Sequence, residues 1–136
     1  MNVMILGAGG GIGRALLEAY VSAPDITRIY ATHHCEVSSV SPLIRWPHLD
    51  MSDPASSAAL ADQNDQPLHR WISGTGSLAG AHGQPEKTLR QLSSGKLQFD
   101  YQVNALGPLT AFSNLANQLR SDDMRAVFLS AQVGSI

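Results

Sequence analysis

A glycine-rich segment near the N-terminus, Gly7-Ala8-Gly9-Gly10-Gly11-Ile12-Gly13, has the composition of a loop that holds phosphate groups. A strand before the loop and a helix after it would place free backbone N–H groups and the positive end of the helix dipole next to a bound anion. Gly7 would allow the tight turn out of the strand, Gly11 the close approach of a diphosphate, and Gly13 close packing of the helix. The segment therefore predicts nucleotide binding, with a ligand-free glycine turn as the alternative.

A second chemically informative position is Asn104, which lies four residues before Pro108. Proline has no N–H, so the Asn104 carbonyl loses its partner within a helix, and we expect a kink at this point. A carbonyl freed in this way can hold a water molecule in a cleft. An ordinary exposed asparagine on a kinked helix is the alternative.

The elements that must position these residues alternate along the chain. Strands are predicted over residues 2–6, 27–32, 43–49, 68–73 and 125–130, and helices from 12 to Pro24 and over 54–61, 85–92 and 96–119. Ser52 or Asp53 would cap the second helix, and Gly107-Pro108 would interrupt the last one. This alternation predicts an α/β fold, a doubly wound parallel sheet of Rossmann-like type with strand order 3-2-1-4-5. We expect residues 1–136 to form a single domain.

Composition excludes several classes of function. Apolar residues make up 43% of the chain and charged residues 15%, and the net charge of -2 provides no electrostatic basis for nucleic acid or an anionic membrane as partner. No apolar run is long enough to span a bilayer, and the early glycines argue against a signal peptide. The single Cys35 suits a reducing, cytoplasmic location. His33, His34 and Cys35 are adjacent, which is a poor geometry for metal ligands, so no metal is predicted.

The glycine spacing resembles a known family. Gly7-x-x-x-Gly11-x-Gly13 departs from the Gly-x-Gly-x-x-Gly fingerprint and is similar to the motif of the short-chain dehydrogenase/reductase family. The segment 103–108, Val-Asn-Ala-Leu-Gly-Pro, resembles the asparagine helix of that family, and segments 80–92 and 134–136 resemble its C-factor-like branch. The resemblance implies an NAD(P)-dependent oxidoreductase that transfers hydride between nicotinamide and a small carbonyl or alcohol substrate.

The resemblance also assigns roles to cofactor-binding residues. Asp50 would bond the adenine amino group and the Met51 amide a ring nitrogen, with a helix cap as the alternative role for Asp50. Ser73-Gly74-Thr75-Gly76 stands where the family has Asn-Asn-Ala-Gly and lines the cofactor ribose. Only Gly76 matches outright, so the asparagine side-chain bonds of the family are not implied here.

Cofactor preference would be decided after the second strand, where Thr32 and His33 are expected to approach the adenosine ribose. The strand end carries no acid, and His33 or His34 could approach a 2′-phosphate, which favours NADP over NAD. Glu36 leaves NAD open, and solvated loop histidines are the alternative.

Two catalytic positions follow from the resemblance. Asn104 would belong to a proton relay, and Ser130 would lie near the substrate oxygen. Alignment on Gly134 instead puts Ala131 at the usual serine position, and Ser135 is a further alternative. The asparagine helix and its successor imply a homo-oligomer.

The catalytic Tyr-x-x-x-Lys of the family is not found in the sequence, since none of Tyr20, Tyr30 and Tyr101 has a lysine four residues later. Its expected place lies beyond Ile136. We therefore interpret the chain as truncated before the last strands and inactive alone. A non-catalytic dinucleotide-binding or signalling module is the second hypothesis, and a structural domain that binds no dinucleotide is the third.

Overall fold

The structure is a computed structural model and describes residues 1–34, 41–77, 87–119 and 122–130. Its sheet has five parallel strands in the order β3-β2-β1-β4-β5. The strands are β1 (Asn2–Leu6), β2 (Arg28–Ala31), β3 (Ile44–Arg45), β4 (Arg70–Ser73) and β5 (Arg125–Phe128). This confirms the predicted parallel α/β sheet and its strand order. Because the strands are parallel, their carboxyl ends lie at one edge of the sheet.

Four α-helices are described: α1 (Gly11–Val21), α2 (Pro54–Asp62), α3 (Ser94–Tyr101) and α4 (Gly107–Asn114). A π-helical segment, Gln102–Leu106, joins α3 to α4, and a short 3₁₀ turn covers Leu89–Gln91. None of the helices in the described part of the chain is both long and apolar enough to cross a bilayer.

The sheet separates two hydrophobic cores, one on each face. Met4 and Leu6 of β1 pack in the core that contains Leu60 of α2 and Ala111 of α4. Their neighbours on β1 pack on the opposite face with residues of α1. Complete burial of each large apolar side chain stabilises the fold by about 1.5–3 kcal/mol. The two cores explain why β1 is an uninterrupted apolar run and account for the doubly wound architecture.

The third strand is shorter than predicted. Its ladder to β2 covers only Ile44–Arg45 instead of residues 43–49. The segments that follow β2 and β3 pair again in an isolated bridge between His33 and His48. Pro47 lies between the ladder and the bridge and has no N–H to donate, so a continuous ladder cannot form there.

The helical predictions also need correction. In the predicted helix 85–92 only the 3₁₀ turn is described, and residues 85 and 86 lie outside the described ranges. The long helix begins at Ser94, because the Ser93 side chain caps it, and its last α-helical residue is Asn114. Of the two candidate caps for α2, Asp53 is the one that accepts from the Ala55 N–H, at 2.9 Å.

Candidate nucleotide-binding site

The turn out of β1 is fixed by Gly7 and by the end of β2. Gly7 has a φ of +75°, in the left-handed region that favours glycine. Its N–H donates to the Thr32 hydroxyl at 3.1 Å, and the Ala8 N–H donates to the Thr32 carbonyl at 3.2 Å. Thr32 is buried, so its hydroxyl holds the loop in place. The predicted contact of Thr32 with the cofactor stays a prediction, and the described bonds add a positioning role.

Gly13 makes the closest approach between α1 and the loop. A Cβ at this position would lie 2.1 Å from the Gly7 carbonyl oxygen and 2.8 Å from the Ala8 Cα. Both atoms belong to the backbone and cannot rotate away, so only glycine fits. This close approach brings the first turn of α1 against the loop that leaves β1.

The N-terminus of α1 carries no capping side chain. The cap residue Gly10 has no side chain to offer, and the first turn contains no acidic residue. The N–H groups of Gly11, Ile12 and Gly13 have no carbonyl partner within the helix. Among the described residues, nothing lies within 4 Å of a Cβ built on Gly9 or Gly11. As far as the described residues go, the loop therefore presents a positive helix end without a side-chain cap, beside two glycines that leave room for an anion.

The residues after β4 form the adjacent wall. The Gly74 N–H donates to the Leu6 carbonyl at 3.1 Å, and the Thr75 side chain lies 3.0 Å from a Cβ built on Gly7. The Thr75 hydroxyl oxygen is buried and has no hydrogen-bond partner in the described part of the chain. An orphaned buried hydroxyl beside the glycine loop is suited to bond a polar group bound there. Ser73 is buried too, and its carbonyl accepts from the Leu129 N–H.

Asp50 lies in the turn between β3 and α2. Its Oδ1 accepts from the Ser52 N–H at 2.8 Å and from the Ser52 hydroxyl at 2.6 Å. The Oδ2 atom lies 3.4 Å from Nε2 of the exposed His34. The Ser52 hydrogen bond is the main cause that lowers the pKa of Asp50. One carboxylate oxygen is thus engaged locally, and the other faces the end of β2.

We expect Asp50→Asn to reduce stability in a pH-dependent way. Because the folded pKa of Asp50 is lowered, its ionised form stabilises the fold above the unfolded aspartate pKa of about 3.9. This contribution is lost as the pH falls through the folded value. The difference in unfolding free energy between wild type and Asp50→Asn should therefore be largest above about pH 5 and shrink towards pH 3. Urea titrations across this range measure it, with the exposed Asp62→Asn as control. A difference that grows on acidification would contradict the prediction.

Asn104 lies in the π-helical segment and binds the loop after β4. Its Oδ1 accepts from the Ser77 N–H at 2.7 Å, and its Nδ2 donates to the Ser77 carbonyl at 2.8 Å. The Gly107 N–H bonds to the Gln102 carbonyl across five residues, which is the π-helical pattern. The interruption expected at Pro108 thus takes the form of a π segment, and Asn104 is exposed but engaged through its side chain.

Asn104→Asp should release this loop. The aspartate keeps an acceptor for the Ser77 N–H but replaces the donor with an oxygen that faces the Ser77 carbonyl. We expect a loss of about 1 kcal/mol in the free energy of unfolding, the typical net contribution of one such bond. Chemical denaturation at pH 7 measures the loss. Asn117→Asp makes the same change at another exposed asparagine and should have little effect; equal stabilities for both variants would contradict the role of Asn104.

Met51 connects the Asp50 turn to the π segment. The Gln102 side-chain N–H₂ donates to the Met51 carbonyl at 3.1 Å. A Cβ on Gly107 would lie 2.9 Å from the same oxygen, so glycine is required for this close packing. The buried Met51 side chain belongs to the core beneath α2 and α4. The structure thus shows a packing role for Met51 beside its predicted amide contact.

Fewer contacts are described for the remaining predicted residues. Ser130 is exposed and directly follows Leu129, whose N–H bonds to the Ser73 carbonyl at 3.0 Å. This places Ser130 at the carboxyl end of β5, on the same edge as the glycine loop. Cys35, Glu36 and the alternative positions Ala131, Gly134 and Ser135 lie outside the described residues. Within the ranges that are described, no group of three or more His, Cys, Asp or Glu could hold a metal ion.

Sequence reasoning missed several residues around the site. The backbone of Ser77 is bound by the Asn104 side chain, and the side chain of Gln102 binds the Met51 carbonyl. Both pairs are distant in sequence, and the residue types serine and glutamine give no signal for these bonds. His48 and Trp46 approach His33, with ring centroids 5.7 and 6.2 Å apart respectively. The parallel pairing of the second and third strands could have indicated His48, because it places the two strand ends side by side.

Solved structures share this fold. A short-chain dehydrogenase family protein from Francisella tularensis matches with a TM-score of 0.84 at 14% identity, over 99% of this chain and 52% of that one. A short-chain dehydrogenase from Burkholderia cenocepacia, solved with NADP, matches with a TM-score of 0.75 at 19% identity, over 93% and 52%. An NADPH-bound carbonyl reductase from chicken fatty liver matches with a TM-score of 0.72 at 19% identity, over 87% and 48%.

These likenesses establish the fold of this chain. It has the strand and helix arrangement found in short-chain dehydrogenase/reductase structures, and it spans about half the length of those three proteins. No protein-family model matches the sequence, and no curated protein matches it.

Proposed function

We propose that this chain is the dinucleotide-binding part of a short-chain dehydrogenase/reductase. One observation carries the proposal: the uncapped N-terminus of α1 meets the glycine loop at a contact that only Gly13 allows. The contact holds the first turn of α1 against the loop at the carboxyl edge of the sheet, where ligands of such folds bind to helix N-termini. The fold shared with the dehydrogenase and reductase structures supports the same conclusion.

The described residues fit a nicotinamide dinucleotide. Gly9, Gly11 and Ile12 would hold the diphosphate through backbone N–H groups, with Gly7 and Gly13 shaping the loop. The Gly10 N–H donates to the Gly7 carbonyl at 3.1 Å, so Gly10 would contribute the close approach of its backbone to the diphosphate. The unpaired Thr75 hydroxyl, with Ser73 and Gly74, would contact the ribose on the nicotinamide side, and Asp50 with the Met51 amide would bind adenine. Thr32 and His33 would border the adenosine ribose. When bound, the dinucleotide supplies or accepts a hydride, and the chain's own residues orient it and exclude water around it.

The catalytic roles proposed for this chain are those of Asn104 and Ser130. The Asn104 side chain is engaged by Ser77, so its relay function would use the main-chain carbonyl and a bound water. Ser130, at the end of β5, would orient the oxygen of a carbonyl or alcohol substrate. We propose that the general acid comes from a tyrosine outside these 136 residues and that this chain alone is inactive.

The finer features of the proposal concern cofactor, assembly and location. The absence of an acid among Ala31, Thr32, His33 and His34 supports NADP over NAD. A single domain over residues 1–136, a homo-oligomer and a cytoplasmic location complete the proposal, the last supported by the solitary Cys35.

Nucleotide titration tests the proposal. Intrinsic tryptophan fluorescence, or the fluorescence of the reduced nicotinamide, should change saturably when NADPH or NADH is added to the folded chain. Adenosine alone should bind more weakly than either nucleotide, because it lacks the diphosphate that the loop holds. Well-folded protein that binds neither nucleotide would overturn the proposal in favour of a structural domain.

A non-catalytic dinucleotide-binding or signalling module is the second candidate. It is favoured by the sequence, since Tyr20, Tyr30 and Tyr101 are followed four residues later by Pro24, His34 and Ala105. It predicts the same nucleotide binding without reduction of any carbonyl. Turnover by a protein that contains this chain together with a Tyr-x-x-x-Lys segment would exclude it.

A further inference from the structure

His69 connects three strands at the amino edge of the sheet, opposite the proposed nucleotide site. It directly precedes β4, and its N–H donates to the carbonyl of Asn2, the first residue of β1, at 2.9 Å. Its carbonyl accepts from the N–H of Arg125, the first residue of β5, at 3.0 Å. The side chain of His69 is half-buried and has no part in the proposed function.

The imidazole of His69 supplies the acceptor for the first backbone N–H of β1. The Asn2 N–H donates to the His69 Nδ1 at 3.1 Å. An imidazole nitrogen accepts a hydrogen bond only when it carries no proton, so this bond requires the neutral ring with its proton on Nε2. The Asn2 side chain donates to the Pro67 carbonyl at 2.9 Å, an acceptor that does not titrate. The attachment of β1 at this point therefore depends in part on the protonation of one side chain.

Protonation of Nδ1 would turn the contact with Asn2 from a hydrogen bond into a repulsion. Two N–H donors would then face each other across the same 3.1 Å. Asn2 is buried, so water has little access to replace the lost acceptor. A buried donor left without a partner costs the fold the full desolvation of that group. Imidazoles ordinarily titrate between pH 5 and 8, so this change falls within an accessible pH range.

The charges around His69 also oppose a proton on its ring. The Arg70 Nη1 donates to the His69 carbonyl at 2.8 Å, and Arg125 follows on the neighbouring strand. Asp123 lies 3.1 Å from the Arg70 guanidinium and 3.5 Å from that of Arg125, which engage its carboxylate. On the other side of β1, Arg28 is aligned with Asn2. The ion pairs described for the chain place no carboxylate against the His69 imidazole that would stabilise its charged form.

Two other ionisable groups at this edge of the sheet have partners of their own. The Met1 amino group donates to the Asp25 carbonyl and to the Thr27 hydroxyl. The Asp65 carboxylate accepts from the Tyr30 hydroxyl. The described bonds of both groups thus lead away from the imidazole.

We propose that His69 is a pH-sensitive switch of the fold, which holds the amino end of the central strand β1 when its ring is neutral and releases that end when Nδ1 is protonated. The unfolded chain leaves the imidazole free to bind a proton, so acid favours the unfolded state. The contribution of the switch to stability is complete above the range in which imidazoles titrate and is lost as the pH falls through it. Because the switch lies at the amino edge, it does not depend on nucleotide binding.

Urea denaturation between pH 8.0 and 5.0 tests the switch. His69→Asn places a side-chain oxygen near the position of Nδ1, which can accept the Asn2 N–H at every pH. On acidification over this range, the unfolding equilibrium constant of the wild type should rise about fivefold more than that of His69→Asn, the equivalent of one net hydrogen bond. His48→Asn is the matched control, since it removes an exposed imidazole and should retain the wild-type pH dependence. Carboxylates common to the three chains cancel in the comparison.

An equal pH dependence in the wild type and in His69→Asn would overturn the switch. If His69→Asn does not fold, NMR of the nitrogen-labelled wild type decides instead. The inference expects Nδ1 of His69 without a proton at pH 8.0, and an Asn2 amide that loses its protection from hydrogen exchange as this nitrogen becomes protonated. The Ile5 amide, in the buried interior of the same strand, should stay protected. A proton on Nδ1 at pH 8.0, or unchanged protection of the Asn2 amide, would show that His69 does not act as a switch.

Discussion

Gly13→Ala is expected to destabilise the chain severely and to abolish nucleotide binding. The added methyl would lie 2.1 Å from the Gly7 carbonyl oxygen and 2.8 Å from the Ala8 Cα. Both are backbone atoms of the loop, so α1 must move away from the sheet to relieve the overlap. Overpacking of this kind costs about 3 kcal/mol, and the shift also separates the helix N-terminus from the turn at Gly7. Urea denaturation and NADPH titration measure the two effects.

Gly9→Ala is the matched control for this change. It adds the same methyl to the same loop, but among the described residues nothing lies within 4 Å of its Cβ. Its unfolding free energy should therefore stay close to that of the wild type. If Gly13→Ala were as stable as Gly9→Ala, the close contact between helix and loop would be wrong, and the main support for the binding site would be lost.

The first strand, the loop and α1 could be predicted because local signals agree there. An apolar run buried on both faces, a cluster of glycines and a helical apolar period each mark one element. The predicted strand, residues 2–6, matches β1, and the predicted positions of Gly7 and Gly13 agree with the turn and the close contact found. The doubly wound arrangement followed from the alternation of elements along the rest of the chain.

The secondary-structure predictions were wrong where contacts between residues distant in sequence decide the structure. The third strand was predicted over seven residues, but only two form a ladder, since Pro47 cannot donate to the β2 backbone. The π segment also escaped prediction. Pro108 indicated an interruption, but the close packing of Gly107 against Met51, 56 residues earlier in the chain, has no local signal in the sequence.

The described side-chain bonds at the site were not predicted from the sequence, and the predicted cofactor contacts stay predictions. Thr32 was placed correctly at the end of β2, but its hydroxyl accepts from the Gly7 N–H. Asn104 was chosen for its carbonyl, while the described bonds are those of its side chain to Ser77. In both cases the partner is a backbone group distant in sequence, which no local pattern identifies.

The second prediction of large effect is that Gly11→Asp raises stability and lowers nucleotide affinity. Gly11 begins α1, its φ is not in the left-handed region, and no described atom lies within 4 Å of its Cβ. A carboxylate in the first turn complements the helix dipole and should add about 0.5 kcal/mol to the unfolding free energy. The same charge stands where the diphosphate would bind, so repulsion should weaken NADPH binding about a hundredfold.

Gly95→Asp is the control that isolates the anion site. Gly95 lies in the first turn of α3, and its Cβ also meets no described atom within 4 Å. The change should stabilise that helix in the same way while leaving NADPH affinity unaltered, because α3 has no place in the proposed site. A gain in stability together with a loss of NADPH affinity in Gly11→Asp, without a loss of affinity in Gly95→Asp, would therefore indicate that the diphosphate binds at the N-terminus of α1. Equal affinities for the two variants would show that the nucleotide does not bind there.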